Sequence, residues 1–533
     1  MQGSRDDGRA SSSTTGREMH PTRWGDPAGA APLPEPARAL VELAFGVTDS
    51  PAATAVSLPA PALDEAVLAE LRTAVGDAHV VTDDAIRRLR TRGKSTPDLL
   101  RARAGDLTDA PDVVVRPVGA HEVAAVLAIA VRHHLAVVPF GGGTAVTGGL
   151  APDREGYAGV VSLDLRRMNH LVEVDPVSMT ATLEPGLLGP EAEALLAEHG
   201  LTLGHFPQSF EHASIGGFAA TRSSGQASAG YGRFDAMVVA LTAVTPTGRL
   251  SLGVAPASAA GPDLRQLLLG SEGAFGVITS VTVRVRPIPE AKVYEGWRFA
   301  TFAEGRDAMR ELAQSGPLPT VLRLSDESET ALSLADPDAV GGGASAGGCL
   351  MITGYEGSAA DVAAKQTSVT ALLTDLGGVP GGEEPGRAWA AGRFKAPYLR
   401  DSMLDVGVLV ETLETATFWS RVEQTYADVK AALGASLPGA LVLCHVSHVY
   451  ETGCSLYFTV AARATEPAWR AAKAAATDAM VAARATITHH HAVGTDHKPW
   501  LAREIGETGV RVLRAVKAEL DPTGILNPGV LVP

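Results

Sequence analysis

The most constraining feature of this chain is a strand that runs directly into glycine. The apolar run LAVVPF (135–140) is followed by Gly141, Gly142, Gly143, Thr144 and Ala145, and shortly afterwards by Thr147, Gly148 and Gly149. Consecutive glycines remove the Cβ atoms that would keep main-chain N–H groups away from an anion, so the loop from Pro139 and Phe140 to Ala145 reads as a nest for a diphosphate. An isolated glycine triplet would as readily be a tight turn. Three further segments change that balance. Gln208, Ser209, Phe210, Glu211, His212, Ala213 and Ser214 run into Ile215-Gly216-Gly217; Thr221, Arg222, Ser223 and Ser224 precede Gly225; and Ser271, Glu272, Gly273, Ala274, Phe275, Gly276, Val277 and Ile278 open a strand. Small hydroxyl residues beside glycine let a long ligand lie against the main chain while donating hydrogen bonds to it.

Around these loops the pattern is mixed α and β. DVVVRP, then the helically periodic HEVAAVLAIAVRHH, then LAVVPF make a β-α-β unit, and VVSLDL, ATLEP, MVVALTAVTPTG and GVITSVTVRVRP add strands. With 533 residues the chain is too long for one ordinary core. The expected division is a disordered leader over 1–20, a mostly helical N-terminal extension over 21–110, the glycine-loop domain over 111–289, a second α+β domain over 290–484, and a C-terminal segment over 485–533 returning to the first domain. GGGASAGG (341–348) reads as a flexible connection, because no strand-to-helix junction frames it.

Charge and cysteine usage narrow the function classes. Forty-five Lys plus Arg against sixty Asp plus Glu give a net charge of −15, which repels phosphate backbones and argues against a nucleic-acid partner. An anionic substrate must then be met by a few local cations. The three cysteines, Cys349, Cys444 and Cys454, show no metal spacing and no disulfide framework, and the N-terminal sequence lacks the apolar stretch of a secretory signal, so a cytoplasmic enzyme is the expectation.

The four loops in this order resemble those of the FAD-binding oxidase and transferase family, whose fold is that of vanillyl-alcohol oxidase and of D-2-hydroxy acid dehydrogenases. The resemblance implies an α+β, PCMH-type FAD-binding domain of two α/β subdomains with an α+β cap. Members that attach FAD covalently often carry histidine in the first loop; Phe140 and glycines stand there in this chain, so non-covalent FAD is implied. Within that family the stretches LGHFPQSFEHASIGGFAATRSSG, LRLSD, YLRDSMLDVGVLVETLET, ETGCSLYFTV and THHHAVG are similar to the alkylglycerone-phosphate synthases. Trp24-Gly25-Asp26-Pro27 and Gly93-Lys94-Ser95 extend the likeness outside the glycine-loop domain. It implies a transferase of ether-lipid synthesis that exchanges the acyl group of acyl-dihydroxyacetone phosphate for a long-chain alcohol, with flavin N5 serving as a covalent hook and no net redox change. A homodimer with peripheral membrane contact is the expected assembly. The alternative is an FAD-linked dehydrogenase or oxidase of a 2-hydroxy acid or related alcohol.

The resemblance also assigns roles residue by residue. Tyr457 becomes the proton donor and acceptor, its phenolate supported by a histidine cluster; by itself it would be an ordinary strand tyrosine. His489, His490 and His491 become polar assistants at the flavin, where otherwise they would be a surface run; being consecutive they are expected to diverge, and no metal is assigned to them. His205 becomes an active-site histidine, Arg323 an active-site arginine, Arg400 the arginine that contacts substrate phosphate, and Ser271 a serine beside the flavin. Without the likeness both arginines would read as surface ion-pair partners. His445 and His448 read as residues of the core or of the site's surroundings.

Overall fold

The computed structural model describes residues 18–53, 56–332 and 347–533. Most of the expected leader, and most of GGGASAGG, lie outside the described residues. Where the leader is described it is packed, which corrects its boundary: Glu18 pairs with Arg90 at 2.7 Å, Met19 is buried, and the His20 carbonyl accepts from Lys94 Nζ at 2.6 Å.

Two sheets build the glycine-loop region. The first holds β1 (Val80–Val81), β2 (Val113–Val115), β3 (Leu135–Phe140) and β4 (Gly159–Asp164) in the order β1-β2-β4-β3, the last two pairings parallel. The strands are buried along almost their whole length, as a parallel sheet covered on both faces requires, and β-branched residues supply most of them. The second holds β5 (Leu171–Asp175), β6 (Thr180–Leu183), β8 (Val238–Thr245), β9 (Gly248–Leu252) and β10 (Val277–Arg284) in the antiparallel order β5-β6-β10-β8-β9. The small ribbon β7 (Leu201–Thr202) with β11 (Arg286–Pro287) sits beside it. Each sheet has its own apolar core, and Val244 and Val277 of the second reach into the core of the first.

The cap is one antiparallel sheet of eight strands: β12 (Ala291–Phe299), β13 (Val321–Ser325), β14 (Cys349–Gly357), β15 (Val379–Gly382), β16 (Leu409–Phe418), β17 (Leu441–Val446), β18 (Val449–Tyr450) and β19 (Gly453–Ala462). Their order is β15-β12-β14-β13-β17-β19-β16, with β18 on the end of β19. The helices Phe302–Gln314, Ala359–Asp375, Val422–Ser436 and Glu466–Ala482 close its outer face around a core that includes Trp297, Phe458 and Trp469. The inner face is left to a cavity.

Two segments fasten the halves together. The N-terminal helix Glu35–Phe45 packs Ala37 and Val41 against Val406, Val408 and Ala461 of the cap. The C-terminal tail returns to the first sheet: Val137 pairs with Leu526 as a parallel bridge, and Asn527 donates from Nδ2 to the carbonyls of Gly149 (2.9 Å) and Glu272 (2.7 Å). One asparagine thus holds two glycine loops in place. Lys498–Leu520, which leads to that tail, is interrupted at Gly506, whose φ of +74° breaks the helical path.

Candidate functional site

The glycine loops meet because nothing larger would fit between them. A Cβ at Gly142 would lie 1.8 Å from the His212 carbonyl oxygen, and one at Gly141 would lie 2.1 Å from Ser214 Oγ. Gly143 adopts φ +70° beside the ring of Phe140, which is itself covered by the Arg90 guanidinium 5.0 Å away. The second loop is fastened by Ser214, whose Oγ accepts from the Gly217 amide and opens the short helix Ile215–Thr221. On the fourth loop Glu272 takes φ +52°, a strained choice for a side chain with a Cβ, and its buried carboxylate accepts from the amides of Val493 and Gly494. Burial pushes that carboxyl up to about 7, against the pull of those two amides.

Between these loops and the cap lies a cavity of about 710 Å³. Pro139, Phe140, Gly141, Gly142, Gly143, Thr144, Ala145, Gln208, Ser209, Ala213, Ser214, Thr221, Ser223, Ser224, Glu272, Gly273, Gly276 and Ile278 line one side; Arg323, Arg400, Tyr457, His490 and His491 line the other. The remaining sequence candidates stand behind this lining. Ala274, Phe275 and Val277 belong to the domain core. Phe210 packs between Phe206 and Phe394, and His212 stands edge-on to Trp24 within the turn that also holds Glu211. Arg222 sits in the left-handed region with its guanidinium on the carbonyls of Leu269 and Gln266. Ser271 is fully buried off the cavity, and His489 lies behind His490.

His205 is a correction of the same kind. Its ring is buried against Phe218 and Phe234 and reaches the cavity only through Ser223, whose Oγ is 3.1 Å from Nε2. Burial holds the imidazole down at about 3, so it is a neutral prop for Ser223.

The cap side is organised by sheet register. Ser325, His445, Tyr457 and Glu414 are successive cross-strand partners on β13, β17, β19 and β16, so their side chains rise from one row on one face. The His445 ring stacks on Tyr457 with centroids 4.8 Å apart and planes 17° apart. Arg323, two residues before Ser325, donates from Nη2 to Glu329 at 2.6 Å and lies 3.0 Å from His445 Nδ1. Burial opposes a charge on Glu329, yet the charges of His445 and Arg323 outweigh it and hold the carboxyl down at about 2. Burial and Arg323 in turn lower His445, so the arginine carries that pairing. Arg400 is fixed by Asp401 and the Lys94 carbonyl; three of its five N–H donors are taken, leaving two for a ligand. Both arginines are ion-paired, as the plainer reading holds, but both also face the cavity.

Burial works against the charged role that the resemblance gives the histidines. Burial pushes Tyr457 up to about 12; a hydrogen bond from Thr412 opposes this, and the charges of Glu411 and Glu414 add to it. A phenolate there needs cations, yet burial lowers His448, His489, His490 and His491 alike, the last to about 3. Burial thus works against positive charge on the whole cluster and against ionisation of Tyr457, which only the Thr412 hydrogen bond and the Arg400 charge favour. Nor do the consecutive rings all diverge: His489 Nδ1 lies 2.9 Å from His490 Nδ1. His448 joins this pair, its Nδ1 held by the hydroxyls of Ser224 (3.0 Å) and Ser228 (2.7 Å), while Tyr450 Oη holds His489 Nε2. Sequence reading left His448 in the surroundings and missed Tyr450, Ser228, Glu329 and Glu414. A signal existed for the last: LVETLETATF places charges inside an otherwise strand-like run.

The donor set fits a flavin dinucleotide. Main-chain glycine walls suit the diphosphate, and among the described residues Gln208 Nε2 and Arg323 Nε are buried at the cavity without a hydrogen-bond partner, as are Ser271 Oγ and His205 Nδ1 just behind it. Comparison with known proteins agrees. Residues 111–252 match the FAD binding domain family, and residues 288–531 match the C-terminal domain of FAD linked oxidases. The alkyldihydroxyacetonephosphate synthase of Dictyostelium discoideum is 36% identical over 482 residues, 85% of this chain and 78% of that protein. A solved alkyldihydroxyacetonephosphate synthase superposes with a TM-score of 0.82 at 29% identity, covering 96% of this chain and 99% of its own. p-Cresol methylhydroxylase, at 18% identity and a TM-score of 0.68 over 87% of this chain and 96% of its own, shares the fold. Fold, cofactor loops and relatives thus converge: FAD is the cofactor, and the chain belongs to the alkyldihydroxyacetonephosphate synthase family.

Proposed function

We propose that this protein is an FAD-dependent transferase that replaces the acyl group of acyl-dihydroxyacetone phosphate by a long-chain alcohol. The observation that carries this reading is the continuity of the cavity. One end is the glycine cradle and the Tyr457 row; the other is apolar, walled by Leu40, Val41, Ala44 and Phe45 of the N-terminal helix and by Leu399 and Met403. A hydroxy acid needs no such limb, whereas an acyl or alkyl chain does. The oxidoreductase alternative is the weaker reading on the same ground.

FAD, when bound, supplies an electrophilic ring able to take up a carbon nucleophile without net oxidation. The chain's own groups handle protons and charge. His490 receives the proton drawn from the carbon bearing the acyl group, because the Glu414 carboxylate 3.5 Å away opposes the lowering caused by burial and supports the imidazolium that forms; Tyr457 Oη, kept protonated by burial, hydrogen-bonds the departing carboxylate. The carbon's proton is returned at the end and that of the alcohol leaves with the fatty acid, so nothing is oxidised. The two unengaged N–H groups of Arg400 suit a phosphate oxygen, and so does Arg393, whose guanidinium lies over the rings of Phe206 and Phe394 at the cavity wall. FAD is held without a covalent bond, since the first loop offers Phe140, glycines and Thr144 and no histidine. The test mixes palmitoyl-dihydroxyacetone phosphate with labelled hexadecanol and no electron acceptor. Labelled ether product is expected; turnover that appears only with a reducible dye overturns the reading. Flavin that leaves with the supernatant on acid precipitation supports non-covalent binding, and flavin that stays in the pellet contradicts it.

A further inference from the structure

We infer that Glu414 is the positioning residue that sets the triple-histidine segment against Tyr457. Its carboxylate is wholly enclosed and accepts from four donors of a single turn: Thr488 Oγ1 (2.6 Å), and the amides of His489 (2.7 Å), His490 (3.2 Å) and His491 (3.0 Å). Three successive amides converge on one anion only when the main chain between them takes one curvature, so the carboxylate selects the loop's conformation and with it the directions of the three rings. The same residue is the direct cross-strand partner of Tyr457, so the strand pairing fixes the distance from the carboxylate's own backbone to the phenol. Loop and phenol are thereby referred to one point.

The energetics favour this role over space filling. Enclosing an ionised carboxylate is costly unless its oxygens are fully hydrogen-bonded, and a leucine or glutamine would fill the volume without that cost. No arginine or lysine pairs with Glu414 among the described residues; the titratable side chains nearest to it are the imidazoles of His490 (3.5 Å) and His491 (3.9 Å). The far end of the segment is held separately, by Glu272 on the amides of Val493 and Gly494. One carboxylate from each domain therefore grips the loop, and Glu414 grips the end that carries the rings.

This assignment rests on the proposed exchange reaction for its kinetic consequence but not for its geometry. The experiment compares the full-length, FAD-loaded protein with Glu414→Gln, in which an amide N–H faces the loop's own N–H groups, and with Thr488→Val, which removes one donor and leaves the anion. Expected for Glu414→Gln are a fall in kcat of about 100-fold, the cost of a misplacement near 1 Å, with KM within about twofold, parental FAD content, and displaced imidazole resonances of His490 and His491 in 15N-histidine NMR. Thr488→Val should move the same resonances and lower kcat by roughly tenfold. Unchanged resonances in both variants, or an effect on KM alone, overturn the assignment. So does loss of thermal stability with parental resonances in Thr488→Val, which decides the matter if Glu414→Gln does not fold. A parent protein without exchange activity would defeat the functional reading only, because the NMR comparison needs no turnover.

Discussion

The two walls of the cavity recognise by opposite means. The glycine wall binds with main chain: its residues matter for what they lack, and Gly141 and Gly142 each stand where an added methyl group would strike a neighbouring loop. The cap wall works with side chains that engage one another, as in Arg323 with Glu329 and His445, or that reach across to the other wall, as in His448 with Ser224 and Ser228. A cradle of main chain tolerates little variation in sequence but leaves a local signature. A wall of interlocked side chains leaves almost none, because its members come from strands, helices and a loop scattered along the chain. The former suits a large invariant cofactor, the latter a reaction that needs placed protons.

That contrast can be broken by substitution. The largest effect is expected on the cap wall: Tyr457→Phe should retain FAD, read as flavin absorbance per protein, while exchange falls by about 10²- to 10⁴-fold. Full activity in that variant would remove the phenol from the chemistry. Next comes the cradle, where Gly142→Ala forces a Cβ into the space 1.8 Å from the His212 carbonyl. Overpacking of this kind costs about 1–3 kcal/mol, roughly 10- to 100-fold in cofactor retention, and flavin lost by the variant on gel filtration measures it. Parental retention would mean that the loops part easily. A smaller effect is expected at the apolar limb: Ala44, exposed at the end of its helix, lines the cavity, and Ala44→Trp should raise KM for a palmitoyl substrate by about tenfold and leave a butyryl substrate unaffected. Equal effects on both would place the chain elsewhere.

The smallest effect belongs to the acid range. Glu329 titrates near 2 when folded, below its ordinary 4.5, so its pairing is fully present above about pH 4.5 and is lost as pH falls toward 2. One proton supplies a slope of at most about 1.4 kcal/mol per pH unit, and Glu329→Gln should flatten that part of an acid unfolding curve. An unchanged curve would show that Arg323 does not need the carboxylate.

How much was legible differs along the same division. The strand-to-glycine junction at 135–145, the polar loop at 208–214 and the serines at 223 and 224 announce themselves because each is a local device: a glycine run after a strand has few physical uses. Phe275 and Val277 sit inside an equally recognisable motif, yet Phe275 turns into one apolar core from the loop before the strand, and Val277, at the strand's first position, enters the other while Ile278 faces the cavity. His205 was misplaced for a related reason, since a histidine beside aromatic neighbours reads the same whether it faces a cavity or Phe218 and Phe234. The protonation of the histidines was beyond any local reading. Consecutive imidazoles suggest positive charge, and only their common enclosure reverses that expectation.

By itself, then, the sequence determined the α+β class, the glycine loops and the family, because propensity, periodicity and missing side chains act over a few residues and survive in a one-dimensional text. The tertiary structure alone decided that β13, β17, β19 and β16 align Ser325, His445, Tyr457 and Glu414 in one row. It alone decided that the loop from Thr488 bends around a carboxylate. Both depend on strand register and on exclusion of water, which are properties of packed elements, some of them far apart in the chain, as Glu414 and Thr488 are at 74 residues, and no short stretch of sequence encodes them.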